Sequence, residues 1–255
     1  MTATSLRPFW RYYGGKWRAA PRYPAPKYGT IVEPFAGAAG YALRYADRKV
    51  ILVERYHVVA EIWRWLIGAK PSDVRAIPEV DDVNDLPSWV PQGARWLVGF
   101  SMNTAASTPR RTLSAGRRDL RALHRQFEGW TTALRDRVAR QVTKIRHWKV
   151  IEGNYTKAPD IEATWFVDAP YEGRPGSHYT HGSARLDYAR LATWCRNRSG
   201  QAIVCEAAGA TWLPFVSIGD ANAMHRRQSS EAIWTGGQPG RRQFSLNFDA
   251  HDEEP

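Results

Sequence analysis

Asp168-Ala169-Pro170-Tyr171 closes an apolar, aromatic run over residues 164–167 that reads as a buried strand. A carboxylate at the carboxyl end of such a strand lies where open α/β sheets place their chemistry. The Asp168 carboxylate can accept a hydrogen bond from an amino group, and the Ala169 carbonyl can accept a second. Pro170 restricts Ala169 to extended geometry, so that carbonyl has a defined direction. Tyr171 offers a ring face to a planar base. The four residues describe a cradle for an exocyclic amino group on a flat heterocycle.

Other segments complete a nucleotide-binding pattern. A short apolar strand over residues 30–33 runs into Pro34-Phe35-Ala36-Gly37-Ala38-Ala39-Gly40, with a helix expected to about residue 47. Strand, glycine turn and helix form the first unit of a nucleotide-binding sheet, since small residues let the backbone approach a ligand. The turn is not the spaced glycine pattern of dinucleotide folds. The next strand, residues 50–53, ends in Glu54, about twenty residues after the turn, where ribose hydroxyls are held in such sheets. Tyr56 could cover an adenine ring. Asn154, after a third strand at 149–152, could read an adenine edge because its amide both donates and accepts. Near the start, Gly14-Gly15-Lys16 makes a turn that puts a lysine within reach of a carboxylate or phosphate.

Between these elements, residues 69–147 interrupt the sheet pattern. Residues 58–67 carry Val59, Ile62, Trp63 and Leu66 at helical spacing, a core stripe. Residues 103–118 form a basic loop with Arg110, Arg111, Arg117 and Arg118, residue types suited to phosphate and base-edge contacts. A long helical stretch, 119–146, has a possible break near Gly129. Leu134, Val138, Val142 and Ile145 lie on its apolar face, and its basic sides face either a nucleic-acid backbone or water. Residues 172–183 hold three glycines with His178, Tyr179 and His181. They suggest a lid or clamp over the site, with Tyr179 a nucleic-acid contact. The two histidines lack a partner cluster at ligand spacing, so no metal is expected. Helix 186–196 and strand 201–206 follow. Residues 213–218 are a strand or a loop, and 225–235 and 243–248 are closing strands.

The chain has 255 residues, 43% hydrophobic and 24% charged, which fits one globular domain with an insertion. Its net charge of +11, with 36 Lys plus Arg, favours a polyanionic partner. Two cysteines make neither a disulfide framework nor a zinc pattern and fit a reducing compartment. Neither a membrane-length apolar run nor a signal-peptide core is evident, so a cytoplasmic protein, bacterial or from a phage-infected cell, is expected, with a monomer favoured.

Taken in order, Tyr-Tyr-Gly-Gly-Lys, Val-Glu-Pro-Phe-Ala-Gly-Ala-Ala-Gly, a strand-ending acid, a basic insertion and Phe-Val-Asp-Ala-Pro-Tyr resemble the Dam-type (alpha-group) DNA adenine-N6 methyltransferases, which use S-adenosylmethionine. The resemblance spans residues 10–235. It implies an α/β, Rossmann-like methyltransferase sheet, with residues 1–68 and 148–250 catalytic, 69–147 a largely helical target-recognition insertion and 251–255 a tail. It implies cofactor contacts from Tyr12, Gly14, Lys16, Phe35, Gly37, Ala39, Glu54, Asn154, Tyr155 and Asp168. The catalytic motif is Asp168, Ala169, Pro170 and Tyr171, which would hold an adenine flipped out of duplex DNA. Three positions depart from the family. Ala39 replaces a glycine, Asn154 an acid, and Ala169 a proline that acts through its carbonyl. The insertion lacks the family's Asn-Gly and aromatic signature, so no target sequence carries over. The same cradle would serve cytosine N4 or adenine in RNA, and the three departures leave open a non-catalytic nucleic-acid-binding protein on this fold.

Overall fold

A computed structural model describes residues 5–103, 106–123, 129–173, 182–220 and 230–238. Seven strands form one sheet in the order β3-β2-β1-β4-β5-β7-β6. They are β1 (Thr30–Glu33), β2 (Lys49–Glu54), β3 (Lys149–Glu152), β4 (Ala163–Val167), β5 (Gly200–Ala207), β6 (Val216–Asp220) and β7 (Ser230–Gly236). The first five are parallel, and β7 is antiparallel between β5 and β6. This is a Rossmann-like, doubly wound sheet whose last pair is antiparallel. Strand order reverses between β1 and β4, and the crevice at that switch point, beyond the carboxyl ends of the strands, is where such sheets bind ligands.

Side-chain alternation explains why the sheet is buried on both faces. Trp165 and Val167 of β4 and Ala202 and Val204 of β5 pack on one face with Leu191, Ala192 and Cys195 of α6 (Tyr188–Arg196). Phe166, Ile203 and Cys205 point to the other face, against the larger core. Parallel strands covered on both sides read as near-continuous apolar runs, as β4 does.

The larger core is built by α1 (His57–Gly68), α2 (Pro71–Ala76), α3 (Gln92–Ser101) and α5 (Thr132–Val142). The α1 stripe of Val59, Ile62, Trp63 and Leu66 is fully buried, as its spacing predicts. Residues 69–147 share this core with the sheet, since α3 packs on α1 and α2 on α5. The helical stretch breaks at Gly129, whose φ is +88°, and Thr131 caps α5 by accepting from the Leu134 amide. The basic segment is more ordered than a loop. Thr112 bridges to Asp82, the Leu113 amide donates to the Asp81 carbonyl, and α4 (Ala115–Ala122) begins before the expected helix start.

One helix did not form. After the glycine turn the chain makes only a 3-10 turn, Ala42–Tyr45. The Ala42 amide donates to Glu33 Oε1 at 2.6 Å instead of entering an i→i−4 ladder. Of residues 213–218, expected as a strand or a loop, the last three belong to β6, which runs on to Asp220. Of the expected closing strands, β7 covers the described end of 225–235, and 243–248 lies outside the described residues. No helix among the described residues is long and apolar enough to cross a membrane.

Candidate active site

Three carboxylates end adjacent parallel strands. Glu33 ends β1, Glu54 ends β2, and Asp168 immediately follows β4. A cleft of about 200 Å³ opens over these ends and is lined in part by Lys16, Glu33, Phe35, Gly37, Glu54 and Asp168.

The N-terminal turn reaches into this cleft. Lys16, 9% exposed, places Nζ 2.7 Å from Asp168 Oδ1 and 3.0 Å from the Gly14 carbonyl oxygen that accepts from it. The same ammonium sits 4.7 Å above the Tyr171 ring. Burial pushes the Asp168 carboxyl above the usual carboxylate range, and the Lys16 ammonium pulls it back. Gly40 is what lets this turn come so close. A Cβ there would lie 2.6 Å from the Trp17 nitrogen and 2.9 Å from the Lys16 nitrogen.

The glycine turn and the β2 acid are physically joined. Glu54 Oε2 accepts from the Gly37 amide at 2.9 Å, and Oε1 accepts from the Tyr56 amide at 2.8 Å. The Arg55 amide bonds the same carboxylate, which keeps a lone-pair direction for a further donor. Burial raises the Glu54 carboxyl, opposed by the hydrogen bonds from Tyr56 and Gly37. Gly37 has φ +45°, and a Cβ there would press on the Tyr12 ring at 3.2 Å. Phe35 stacks on Tyr155 at 5.5 Å between centroids, and Tyr155 meets Trp194 edge-on, forming an aromatic wall beside Asn154.

Ala39 lies beneath the turn, fully buried, and is not among the cleft-lining residues. It is the one non-glycine residue with positive φ among the described residues, at +49°. The backbone therefore keeps the left-handed geometry a glycine would adopt, at a cost of about 1–2 kcal/mol for an L-residue. Ala39→Gly would relieve that strain but lose a buried methyl, worth about 0.8 kcal/mol, and would loosen the unfolded chain by about 0.5–1 kcal/mol. The terms nearly cancel, so thermal melts should show Ala39→Gly within about 1 kcal/mol of wild type. Ala42→Gly, equally buried but in a helical turn, should be clearly destabilising.

One member of the Asp168 motif, Tyr171, sits differently from its sequence-based role. Ala169 is buried against the α6 face, and Pro170 lines the cleft, with its carbonyl accepting from Tyr188 Oη at 2.7 Å. Tyr171 is not in the cleft wall. Its hydroxyl donates to Glu231 Oε1 at 2.9 Å, and a ring face carries the Lys16 ammonium. Stacking on a base would require that ammonium to leave the face.

The cleft also contains groups that motif reading passed over. Asp187, Arg185 and Arg190 form part of its rim. Glu33, only 2% exposed, was read simply as the end of a strand. It shares with Glu54 and Asp168 the signal of an acid at a strand's carboxyl end. Burial raises its carboxyl from 4.5 to about 8, with the Ala42 amide opposing and Asp168 adding to the rise. Glu33 therefore binds its proton more tightly folded than unfolded. That contribution to stability is complete in acid and is lost as pH rises from about 4.5 through about 8. Melting temperatures across pH 5–8.5 should fall less steeply for Glu33→Gln than for wild type, because the glutamine oxygen still accepts from Ala42 without titrating.

Among the arginines expected at nucleic acid, Arg110 is exposed, Arg111 Nε pairs with Asp82 Oδ2 at 3.1 Å, and Arg118 donates to the Leu113 carbonyl at 3.1 Å. Their segment abuts the cleft mouth, where the Tyr13 amide donates to the Ala106 carbonyl at 3.3 Å. The Arg117 side chain, His178, Tyr179 and His181 lie outside the described residues. In the 119–146 stretch Arg140 and Lys144 are exposed, whereas three arginines are engaged with main-chain oxygens. Arg135, Arg137 and Arg146 donate to the carbonyls of Ile77, Pro8 and Ala69. His57, Glu61 and Glu152 converge on the surface, where Arg64 bonds both carboxylates and supplies the positive charge.

Neither a protein-family model nor a curated protein matches the chain. Among solved structures, it is similar to one described as "Putative methyltransferase yhhF from Escherichia coli", at 13% identity over 92% of this chain and 91% of that one, with a TM-score of 0.35. A likeness of that degree bears on neither substrate nor residues. The fold class rests on the sheet order.

Proposed function

We propose that the chain is an S-adenosylmethionine-dependent methyltransferase acting on the N6 amino group of adenine in DNA. The observation that carries this reading is the pairing of Lys16 with Asp168 at 2.7 Å in a cleft whose other wall is the Gly37 turn bonded to Glu54. An acceptor for an amino hydrogen, a ribose-type acid and a close-approach glycine thus share one cavity at the switch point of the sheet.

The residues present fit the cofactor. Glu54 retains an acceptor direction for a ribose hydroxyl, Phe35 and Tyr155 offer an aromatic wall, and Gly37 brings bare backbone to the cleft. Asn154, at the β3 end, can read the adenine edge. When bound, the cofactor supplies an electrophilic methyl group on a sulfonium. The chain's own work is on the acceptor. An exocyclic amino nitrogen is a poor nucleophile because its lone pair is delocalised into the ring. The Asp168 carboxylate and the Ala169 carbonyl accept hydrogen bonds from its two N–H groups, which favours pyramidal geometry and frees the lone pair. As the N–CH3 bond forms and the S–CH3 bond breaks to leave a thioether, the surplus N–H proton passes to Asp168 and on to solvent. Lys16 offsets the cost of burying the Asp168 charge. Holding acceptor and donor in line supplies much of the acceleration.

The net charge of +11 and the exposed Arg110 and Arg111 support DNA as the partner. In a duplex the base must first leave the stack, at a cost of a few kcal/mol. The test is transfer from labelled S-adenosylmethionine to duplex DNA, single-stranded DNA and RNA in parallel. Label in DNA alone is the expected outcome, and label confined to RNA would reassign the acceptor.

A further inference from the structure

The segment carrying Asp168 is pinned from the C-terminal half of the chain. Tyr188 Oη on α6 donates to the Pro170 carbonyl at 2.7 Å. Glu206, at the end of β5 and 1% exposed, accepts from the Glu172 amide at 3.1 Å through Oε2 and from Trp212 Nε1 at 3.0 Å. Between these two anchors, the Tyr171 hydroxyl reaches Glu231 on β7.

Glu231 is 5% exposed, and its Oε1 accepts from Tyr171 at 2.9 Å and from Tyr23 at 2.5 Å. Burial raises both phenols well above their ordinary range, so each remains a donor. The contacts continue inward. The Tyr171 ring carries the Lys16 ammonium at 4.7 Å, and that ammonium holds Asp168 Oδ1 at 2.7 Å. A cation over an aromatic face is worth about 0.5–2 kcal/mol, more when desolvated, so a fixed ring is a fixed seat for the lysine. Ala169 lacks the ring that would fix its own φ, and only Pro170 stiffens the segment from within.

We propose that Glu231 is a positioning residue for the transfer site, setting the placement of Lys16 and Asp168 through the Tyr171 ring. This rests on the methyl-transfer reading above. Glu231 touches neither acceptor nor cofactor in this scheme. It acts through a hydroxyl sixty residues away in sequence.

The test compares Glu231→Leu, Glu231→Gln, Tyr171→Phe and the double variant Glu231→Leu/Tyr171→Phe. Glu231→Leu should slow transfer about a hundredfold, the scale of a 1 Å misplacement. Its S-adenosylmethionine Kd should stay near wild type. Glu231→Gln keeps an acceptor oxygen and should recover most of the rate. Tyr171→Phe removes the same link, so the double variant should be no slower than Glu231→Leu. Wild-type transfer by Glu231→Leu, losses that multiply in the double variant, or rate and cofactor affinity falling together would overturn the proposal. If Glu231→Leu does not fold, Tyr171→Phe alone decides it by the same split between rate and affinity. A second readout is independent of transfer. Acetylation of Lys16 by acetic anhydride, followed by peptide mass spectrometry, should speed up about threefold or more in Tyr171→Phe and Glu231→Leu as the seat loosens. Unchanged acetylation overturns the relay even if the wild-type protein transfers no methyl group, a result that would separately reject the methyl-transfer reading.

Discussion

Asp168→Asn is expected to slow methyl transfer by about a thousandfold, the upper range for removing one preorganised electrostatic partner of a transition state. Two effects add. The amide lacks the negative charge that accepts hydrogens from the amino group as positive charge develops on nitrogen. It also leaves Lys16, 9% exposed, without the carboxylate it meets at 2.7 Å. Cofactor affinity should change far less, because the Glu54 and Gly37 end of the cleft is untouched. Single-turnover rates with pre-bound cofactor, set beside direct binding, separate the two. Transfer by Asp168→Asn at a rate near wild type would remove Asp168 from the chemistry.

Glu54→Gln should act in the opposite way, raising the S-adenosylmethionine Kd about a hundredfold with a much smaller change in rate at saturating cofactor. Both Glu54 oxygens already accept backbone amides, from Gly37 at 2.9 Å and Tyr56 at 2.8 Å. In glutamine one oxygen becomes an NH₂ that faces an N–H donor. Hydrogen bonds to a charged group are worth about 1.5–3 kcal/mol, and the amide also offers a hydroxyl a weaker acceptor. A loss of about 2.8 kcal/mol is a hundredfold in Kd. The Gly37 turn should shift as well, which calorimetric titration would register as weaker binding. An unchanged Kd would mean that Glu54 serves the turn alone.

Local pattern revealed much of this fold. The strand ends carrying Glu54 and Asp168, the buried stripe of α1 and the break at Gly129 all follow from periodicity and turn chemistry over short windows. What stayed hidden depended on partners distant in sequence. The expected helix after the glycine turn is only a 3-10 turn, at whose start Glu33, nine residues earlier, takes the Ala42 amide. Arg135, Arg137 and Arg146 resemble part of a nucleic-acid face until Ile77, Pro8 and Ala69 bring their carbonyls to them. Tyr171 looks like a stacking ring until Glu231 arrives on an antiparallel strand and draws its hydroxyl away. Charge composition counts arginines, but only tertiary structure shows which of them are already committed to main-chain oxygens.

The most direct test of the central claim is nucleoside mass spectrometry of mixed-sequence duplex DNA after incubation with the purified protein and methyl-labelled S-adenosylmethionine. Labelled N6-methyladenine is expected, absent with Asp168→Asn. Labelled N4-methylcytosine would keep the mechanism and change the base. No methylated nucleoside from protein that binds both cofactor and DNA would contradict the claim.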